Sequence, residues 1–352
     1  MVPCLGTVGW SAPAVALQLV LLLASAVHVE TTVTQLPDAP VWYTACPTSS
    51  YQIRYSPPTA ELLPQLELVF NNAVAKGFDE VPADPTFFAL MITGKDEAHE
   101  YFARKSMESF VHQAATRKVL VIINDSPKYT LTGPVSEWLA DMQTSVMASP
   151  PPCVVEIRVE PKRYVLGDLR NIGINAVPLG GVWVQWDDDD WHDRQYMTLN
   201  GKEMVTSNTH ALTIKSQYRY FFTKNSSYIH QPAIAFGIEG TVMVFKTPTV
   251  APIQYRAKGR AEDTIYLRML RQAEVPAAAW DNPTWLYFRF YHGINTWDAN
   301  HYRINKLPDE NAWCCHLPTH ACGCADEMAN ELHAFVIEVY QDVAAALAAA
   351  PS

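Results

Sequence analysis

Two runs in this chain are apolar from end to end, Phe87-Phe88-Ala89-Leu90-Met91-Ile92 and Val119-Leu120-Val121-Ile122-Ile123, and a third, Val182-Trp183-Val184-Gln185-Trp186, carries one polar residue. A strand with one face in water alternates apolar and polar side chains; a strand with no alternation has to be covered on both faces. Between the runs the period changes. Residues 97 to about 115 read as a helix with Phe102, Met107, Phe110 and Val111 among its apolar positions. A further strand, 154–159, follows the break at Pro150, Pro151 and Pro152, and a short helix is expected over 166–176. Strands alternating with helices in this way imply an α/β fold, with a mostly parallel sheet covered by helices on both faces.

The rest of the chain is less regular. Residues 28–84 are Pro-rich, with a short helix expected around 62–75. The second half offers a strand at 242–245, a helix at 262–270 and an aromatic strand at 285–291 that ends at His292. Residues 326–349 read as a long amphipathic helix, with Met328, Leu332, Phe335, Val336, Val339 and Val343 on one face. No internal repeat is visible. At 352 residues the chain can bury a sizeable core, and 49% hydrophobic against 18% charged residues argues against wholesale disorder.

A net charge of −10 argues against nucleic acid as a partner, because such proteins usually carry a basic face. It permits a nucleotide if a divalent cation bridges the like charges. The apolar stretch 14–27 ends in Ala24-Ser25-Ala26, a small-residue cleavage pattern, and its length suits a signal peptide or a short signal-anchor tethering the chain to a membrane. The secretory pathway is the expected location. Of seven cysteines, Cys4 falls in that segment, leaving an even six for pairing in an oxidising compartment. The cluster Cys314, Cys315, Cys322 and Cys324 is open to disulfides or to zinc. Asn225-Ser226-Ser227 is a glycosylation sequon; Asn124-Asp125-Ser126 is one formally, but it follows a buried strand.

The third apolar run leads straight into Asp187-Asp188-Asp189-Asp190, bracketed by Trp186 and Trp191. Four carboxylates in a row usually mark a solvated face. Fed by a buried strand, they stand instead where open α/β sheets collect ligands, at a strand's carboxyl end. In an extended segment Asp187 and Asp189 share a side. Carboxylates that close repel unless a proton or cation lies between them, and a hard cation such as Mn²⁺ or Mg²⁺ meets that need.

Around this run the sequence resembles a known family. Gly167-Asp168-Leu169-Arg170-Asn171-Ile172-Gly173, followed by Gly181-Val182-Trp183-Val184-Gln185-Trp186-Asp187-Asp188-Asp189-Asp190-Trp191, is similar to the donor-binding core of family 2-type glycosyltransferases with the GT-A fold, in which an Arg-Asn-x-Gly helix precedes a strand ending in Asp-x-Asp-Asp. Other matches keep the family's order: Met91-Ile92-Thr93-Gly94, then Ser106, Phe110 and Gln113, then Val121-Ile122-Ile123-Asn124-Asp125-Ser126, Gly240-Thr241-Val242-Met243, and Ala261-Glu262-Asp263-Thr264. The resemblance implies a GT-A domain at 86–300; outside it the pattern gives a signal peptide or short signal-anchor at 1–27, an N-terminal extension at 28–85, and a Cys-rich segment with a C-terminal helix at 301–352.

It also implies roles. Thr93 and Asp125 would contact the nucleoside, and Arg170, Asp187 and Asp188 the rest of a nucleotide-sugar donor. Asp187, Asp189 and His292 would hold the divalent cation. Asp263 would be the general base, with Glu262, Asn295 and Trp297 on the acceptor side. The expected reaction is inverting transfer of a sugar to a hydroxyl of a carbohydrate or glycoconjugate. The alternatives are a non-catalytic nucleotide- or carbohydrate-binding protein on the same fold, or a metal-dependent phosphohydrolase.

Overall fold

The computed structural model describes residues 32–34, 42–45, 51–56, 63, 65–70, 78–94, 97–131, 153–221, 226–231, 236–292 and 295. The expected targeting segment, the Asn225 sequon position, Trp297, the Cys314–Cys324 cluster and the 326–349 helix lie outside them.

The apolar runs form the centre of a nine-stranded sheet. Its strands are β1 (Thr32–Thr34), β2 (Trp42–Ala45), β5 (Phe87–Thr93), β6 (Lys118–Asn124), β7 (Cys153–Arg158), β8 (Val182–Asp187), β10 (Ala211–Ile214), β13 (Met243–Phe245) and β14 (Ala277–Trp280). They are ordered β1-β2-β7-β6-β5-β8-β13-β10-β14. The four central strands β7, β6, β5 and β8 are mutually parallel, as expected. The flanks are mixed: β2 joins β7 and β13 joins β8 antiparallel. Cys153, which opens β7, is disulfide-bonded.

Helices α1 (Glu97–Val111), α2 (Leu166–Ala176), α3 (Tyr196–Thr206) and α4 (Glu262–Gln272) cover both faces. Phe87, Ala89 and Met91 of β5 pack with Met107 and Phe110 of α1 and Met197 and Met204 of α3. Phe88 and Leu90 point the other way, towards Leu169 and Ile172 of α2 and Leu267 and Leu270 of α4. Both sets are buried, which is why β5 could not alternate.

A second, four-stranded sheet is ordered β12-β11-β15-β9, from β9 (Asp190–His192), β11 (Gln217–Phe221), β12 (Ser226–His230) and β15 (Tyr287–Tyr291). Because β9 follows the aspartate run directly, this sheet is anchored to the main one at the acidic turn, with Asp190 opposite Arg289.

Two expectations change. Residues 65–70, within the expected 62–75 helix, are instead a strand: β4 (Gln65–Phe70) pairs antiparallel with β3 (Tyr51–Ser56), and 71–75 lie outside the described residues. Gln65-Leu66-Glu67-Leu68 alternates with a period of two, the strand signature. Helix α1 stops at Val111 rather than near 115, where Lys118 Nζ takes the Val111 carbonyl at 2.8 Å and also bonds the Gln113 carbonyl. Helix α3 was not legible because Gly201 interrupts it; a Cβ there would stand 2.5 Å from the Phe87 ring, so packing against β5 requires the glycine.

Candidate active site

The carboxyl ends of β5, β6 and β8 open into one cavity of about 570 Å³. It is lined by Thr93, His99, Asp125, Arg170, Gln185, the aspartates 187–189, Glu262, Asp263, Arg289 and Asn295. The structure thus brings together every site residue expected from the sequence except His292, which stands against Asp189 behind it, and Trp297, which lies outside the described residues.

Thr93 hydrogen-bonds Tyr129 at 2.9 Å. Beside it, Asp125 accepts from the Lys162 backbone N–H, and burial raises its pKa. Gly94 is required here: its φ is +130° and a Cβ would lie 2.2 Å from Asp125 Oδ1. Asn124, the formal sequon residue, is fully buried and donates to Glu156 at 2.6 Å and to the Tyr129 carbonyl.

The aspartate run is not extended. Asp188 and Asp189 form a turn between β8 and β9, so the expected side-sharing of Asp187 and Asp189 gives way to four separate surroundings. A two-residue reversal abolishes the alternation of a strand. Asp187 receives Arg170 at 3.3 Å, Arg289 at 3.6 Å and the Gln185 amide at 3.4 Å. Asp188 turns to His99 at 3.4 Å and to Thr93; burial raises its pKa against both. Asp190 is buried against Tyr287 and the Phe290 N–H, and burial lifts its pKa well above the carboxylate range. It ties β9 to β15.

Asp189 faces His292 Nε2 at 3.1 Å and the Asn295 amide at 2.9 Å. Burial would raise its pKa, but the His292 hydrogen bond and the charges of His292, His99 and Arg289 outweigh that and hold it low. An oxygen and an imidazole nitrogen about 3 Å apart suit neighbouring positions around a hard cation with bonds of roughly 2.1 Å. Carboxylate with imidazole is a donor set that Mn²⁺ accepts. No group of three or more His, Cys, Asp or Glu able to hold a metal occurs among the described residues; further ligands would come from substrate phosphate or water.

Helix α1 braces this turn, and the spacing of Ser106, Phe110 and Gln113 has a physical reading. Ser106 donates to the Asp187 carbonyl at 2.9 Å, Phe110 meets Trp186 edge-on, and Gln113 donates to the Asp193 carbonyl at 2.7 Å. Ser106 and Phe110 lie on one face of α1, and Gln113 follows just past its end. Asn171 clamps Tyr255 through both its backbone N–H and C=O, at 2.7 and 2.9 Å. That clamp fixes the chain just before α4.

Across Arg170 from Asp187 stand Glu262 and, beside it, Asp263, in the first turn of α4, where the helix dipole favours acids. Ala261 before them adopts φ 58°, a left-handed conformation that costs energy in a non-glycine residue. Glu262 is buried, its pKa raised by burial against the pull of Arg170 at 3.0 Å. One Asp263 oxygen accepts from the Thr264 N–H at 2.7 Å. Arg170 is no surface ion pair: it is buried between Asp187 and Glu262.

Sequence reading missed His99, Gln185 and Arg289. Each left a signal: a polar residue inside a buried pattern, Gln185 within Val-Trp-Val-Gln-Trp and Arg289 within Phe288-Arg289-Phe290.

No family model and no curated protein matches the chain. Among solved structures it is similar to S. aureus TarS 1-349, with 13% identity and a TM-score of 0.43, covering 58% of this chain and 60% of that one. It is similar to the same fragment in complex with UDP-GlcNAc, with 12% identity and a TM-score of 0.44, covering 58% of each chain. A third is the mannosyltransferase PcManGT from Pyrobaculum calidifontis in complex with GDP-Man and Mn²⁺, with 12% identity and a TM-score of 0.44, covering 79% of this chain and 80% of that one. The chain thus spans about three fifths of the TarS fragment. Its own residues define an α/β sheet whose strand ends hold a cavity lined by several carboxylates, one of which, Asp189, meets the His292 imidazole.

Proposed function

We propose that the chain is a metal-dependent glycosyltransferase that moves a sugar from a nucleotide-sugar donor to a hydroxyl acceptor, with inversion at the anomeric carbon. The observation that carries this is the convergence on a single cavity of Asp125 and Thr93, of Asp187 to Asp189 with His292 against Asp189, and of Asp263. A nucleoside, a cation-bridged diphosphate and an acceptor hydroxyl need those three kinds of group within reach of one another.

Asp125 and Thr93 hold the nucleoside. Asp189 and His292 hold the cation, with Asp187 beside them. A divalent cation bound there supplies positive charge that stabilises the departing diphosphate. Asp263 takes the proton of the acceptor hydroxyl as its oxygen forms the new bond to the anomeric carbon. The bond from that carbon to phosphate oxygen breaks, and the electron pair leaves with the nucleoside diphosphate. Arg170 keeps Glu262, and so the start of α4, in register with Asp187. A single displacement with inversion is what the family resemblance implies for one such base. The acceptor is a carbohydrate or glycoconjugate, and the apolar N-terminal segment supports work in the secretory pathway, either tethered or secreted.

Turnover of UDP-glucose, UDP-GlcNAc and GDP-mannose with Mn²⁺ and a panel of sugar acceptors tests this. Asp263→Asn should bind donor normally and lose about 100-fold or more in kcat. Unchanged product formation by that variant contradicts the base assignment. Release of sugar phosphate without transfer to any acceptor would favour a phosphohydrolase.

A further inference from the structure

Gln185 does nothing for the fold that its backbone does not already do. Its N–H bonds the Val242 carbonyl at 3.0 Å and holds β8 in the sheet. It is 2% exposed, yet among the described residues Oε1 has no hydrogen-bond partner and Nε2 makes only a long contact, 3.4 Å, to Asp187. A buried, unsatisfied amide oxygen costs stability in the free protein. It lines the cavity.

Gly240 locates what Gln185 converges with. A Cβ built on Gly240 would lie 3.4 Å from Arg289 Nη1, 3.6 Å from Gln185 Nε2 and 3.8 Å from Asp263 Oδ2. Three polar heads from three elements therefore meet within about 4 Å of one point. Two of them, Gln185 and Arg289, also contact Asp187 on the diphosphate side; the third is the proposed base on the acceptor side.

We propose that Gln185 and Arg289 form the subsite for the transferred sugar: Gln185 Oε1 accepts from a ring hydroxyl and Arg289 donates to a neighbouring sugar oxygen. The reasoning rests on the glycosyltransferase reading. The transferred ring is the part of the substrates that links the diphosphate to the attacking hydroxyl, so it has to lie between Asp187 and Asp263. An amide offers one acceptor and one donor group, and a guanidinium only donors, a combination suited to neutral vicinal hydroxyls. Gln185 is then a specificity-determining residue for the donor sugar.

The test compares Gln185→Met with the unmodified chain, with Mn²⁺ present. The ligands are UDP, GDP, UDP-glucose, UDP-GlcNAc and GDP-mannose. Removing an unsatisfied amide should leave the Tm unchanged or higher, so failure to fold is not the expected confounder. Affinity for the preferred nucleoside diphosphate should stay within about twofold, while kcat/KM for its nucleotide sugar falls about tenfold or more, and preference among sugars narrows. Arg289→Lys, which keeps a charge, should give a smaller loss in the same direction. If the unmodified chain binds no nucleotide with Mn²⁺, the proposed function falls and this inference with it. If it transfers sugar and Gln185→Met matches it in kcat/KM and sugar preference, the inference alone is overturned.

Discussion

The Arg170 guanidinium donates to Glu262 at 3.0 Å and to Asp187 at 3.3 Å while only 9% exposed, so one cation faces a buried carboxylate on α4 and a half-buried one on β8. Glu262 is left buried without its partner if the guanidinium is removed. Arg170→Met should therefore destabilise the chain by about 3–5 kcal/mol, the cost of leaving buried charge without its partner. Urea denaturation measures this. A loss within 1 kcal/mol would mean that Glu262 does not depend on Arg170, and that the ion pair does not join β8 to α4. Arg289 is less buried and its ion pairs are longer, 3.6 and 3.9 Å, which suits a group that turns towards substrate. In the sequence, an extended run pairs Asp187 with Asp189, and turning backbone places the same four letters differently. His99 was hidden for another reason: on a helix, one polar residue in a buried face looks like any satisfied core histidine.

Where α1 ends and β6 begins, Lys118 is half-buried and donates to the carbonyls of Val111 and Gln113 at the helix end. Burial pushes its pKa down to about 8. The folded state then gives up the proton at lower pH than the unfolded chain, whose lysine titrates near 10.4. Between these values the unfolded state binds more protons, so folding stability rises with pH. Relative to Lys118→Met, the native chain should gain stability from pH 8 to 9.5, by at most about 2 kcal/mol, read from chemical denaturation at a pH series. A flat difference would place the amine in contact with water. The strands and helices that carry the site were largely legible at this level. The runs that became β5, β6 and β8 lacked any alternation, and α2 and α4 follow the motifs Arg170-Asn171 and Glu262-Asp263. Short strands such as β10 and β14, and α3 with its central Gly201, were not. Their order comes from contacts with β13 and Phe87, which are far apart in sequence.

Seen whole, the chain carries −10 and concentrates carboxylates at the strand ends, a poor surface for a diphosphate. Two arginines and the Asp189–His292 pair lie among them, so the field can change sign locally once a divalent cation arrives. No helix among the described residues is long and apolar enough to cross a membrane. The parallel centre and its two helical layers supply the rigid frame; β15 brings Arg289 and, at its end, His292 to that frame from the second sheet. On the proposed reading, metal dependence is a property of the assembled molecule rather than of the aspartate run. The most direct check is titration calorimetry of UDP and GDP, with Mn²⁺ and with EDTA, on the native chain and on Asp189→Asn. One nucleoside diphosphate should bind only with Mn²⁺, and Asp189→Asn should weaken it by about tenfold or more. Equal binding in EDTA, or an Asp189→Asn variant that binds as the native chain does, would contradict a cation-bridged donor site.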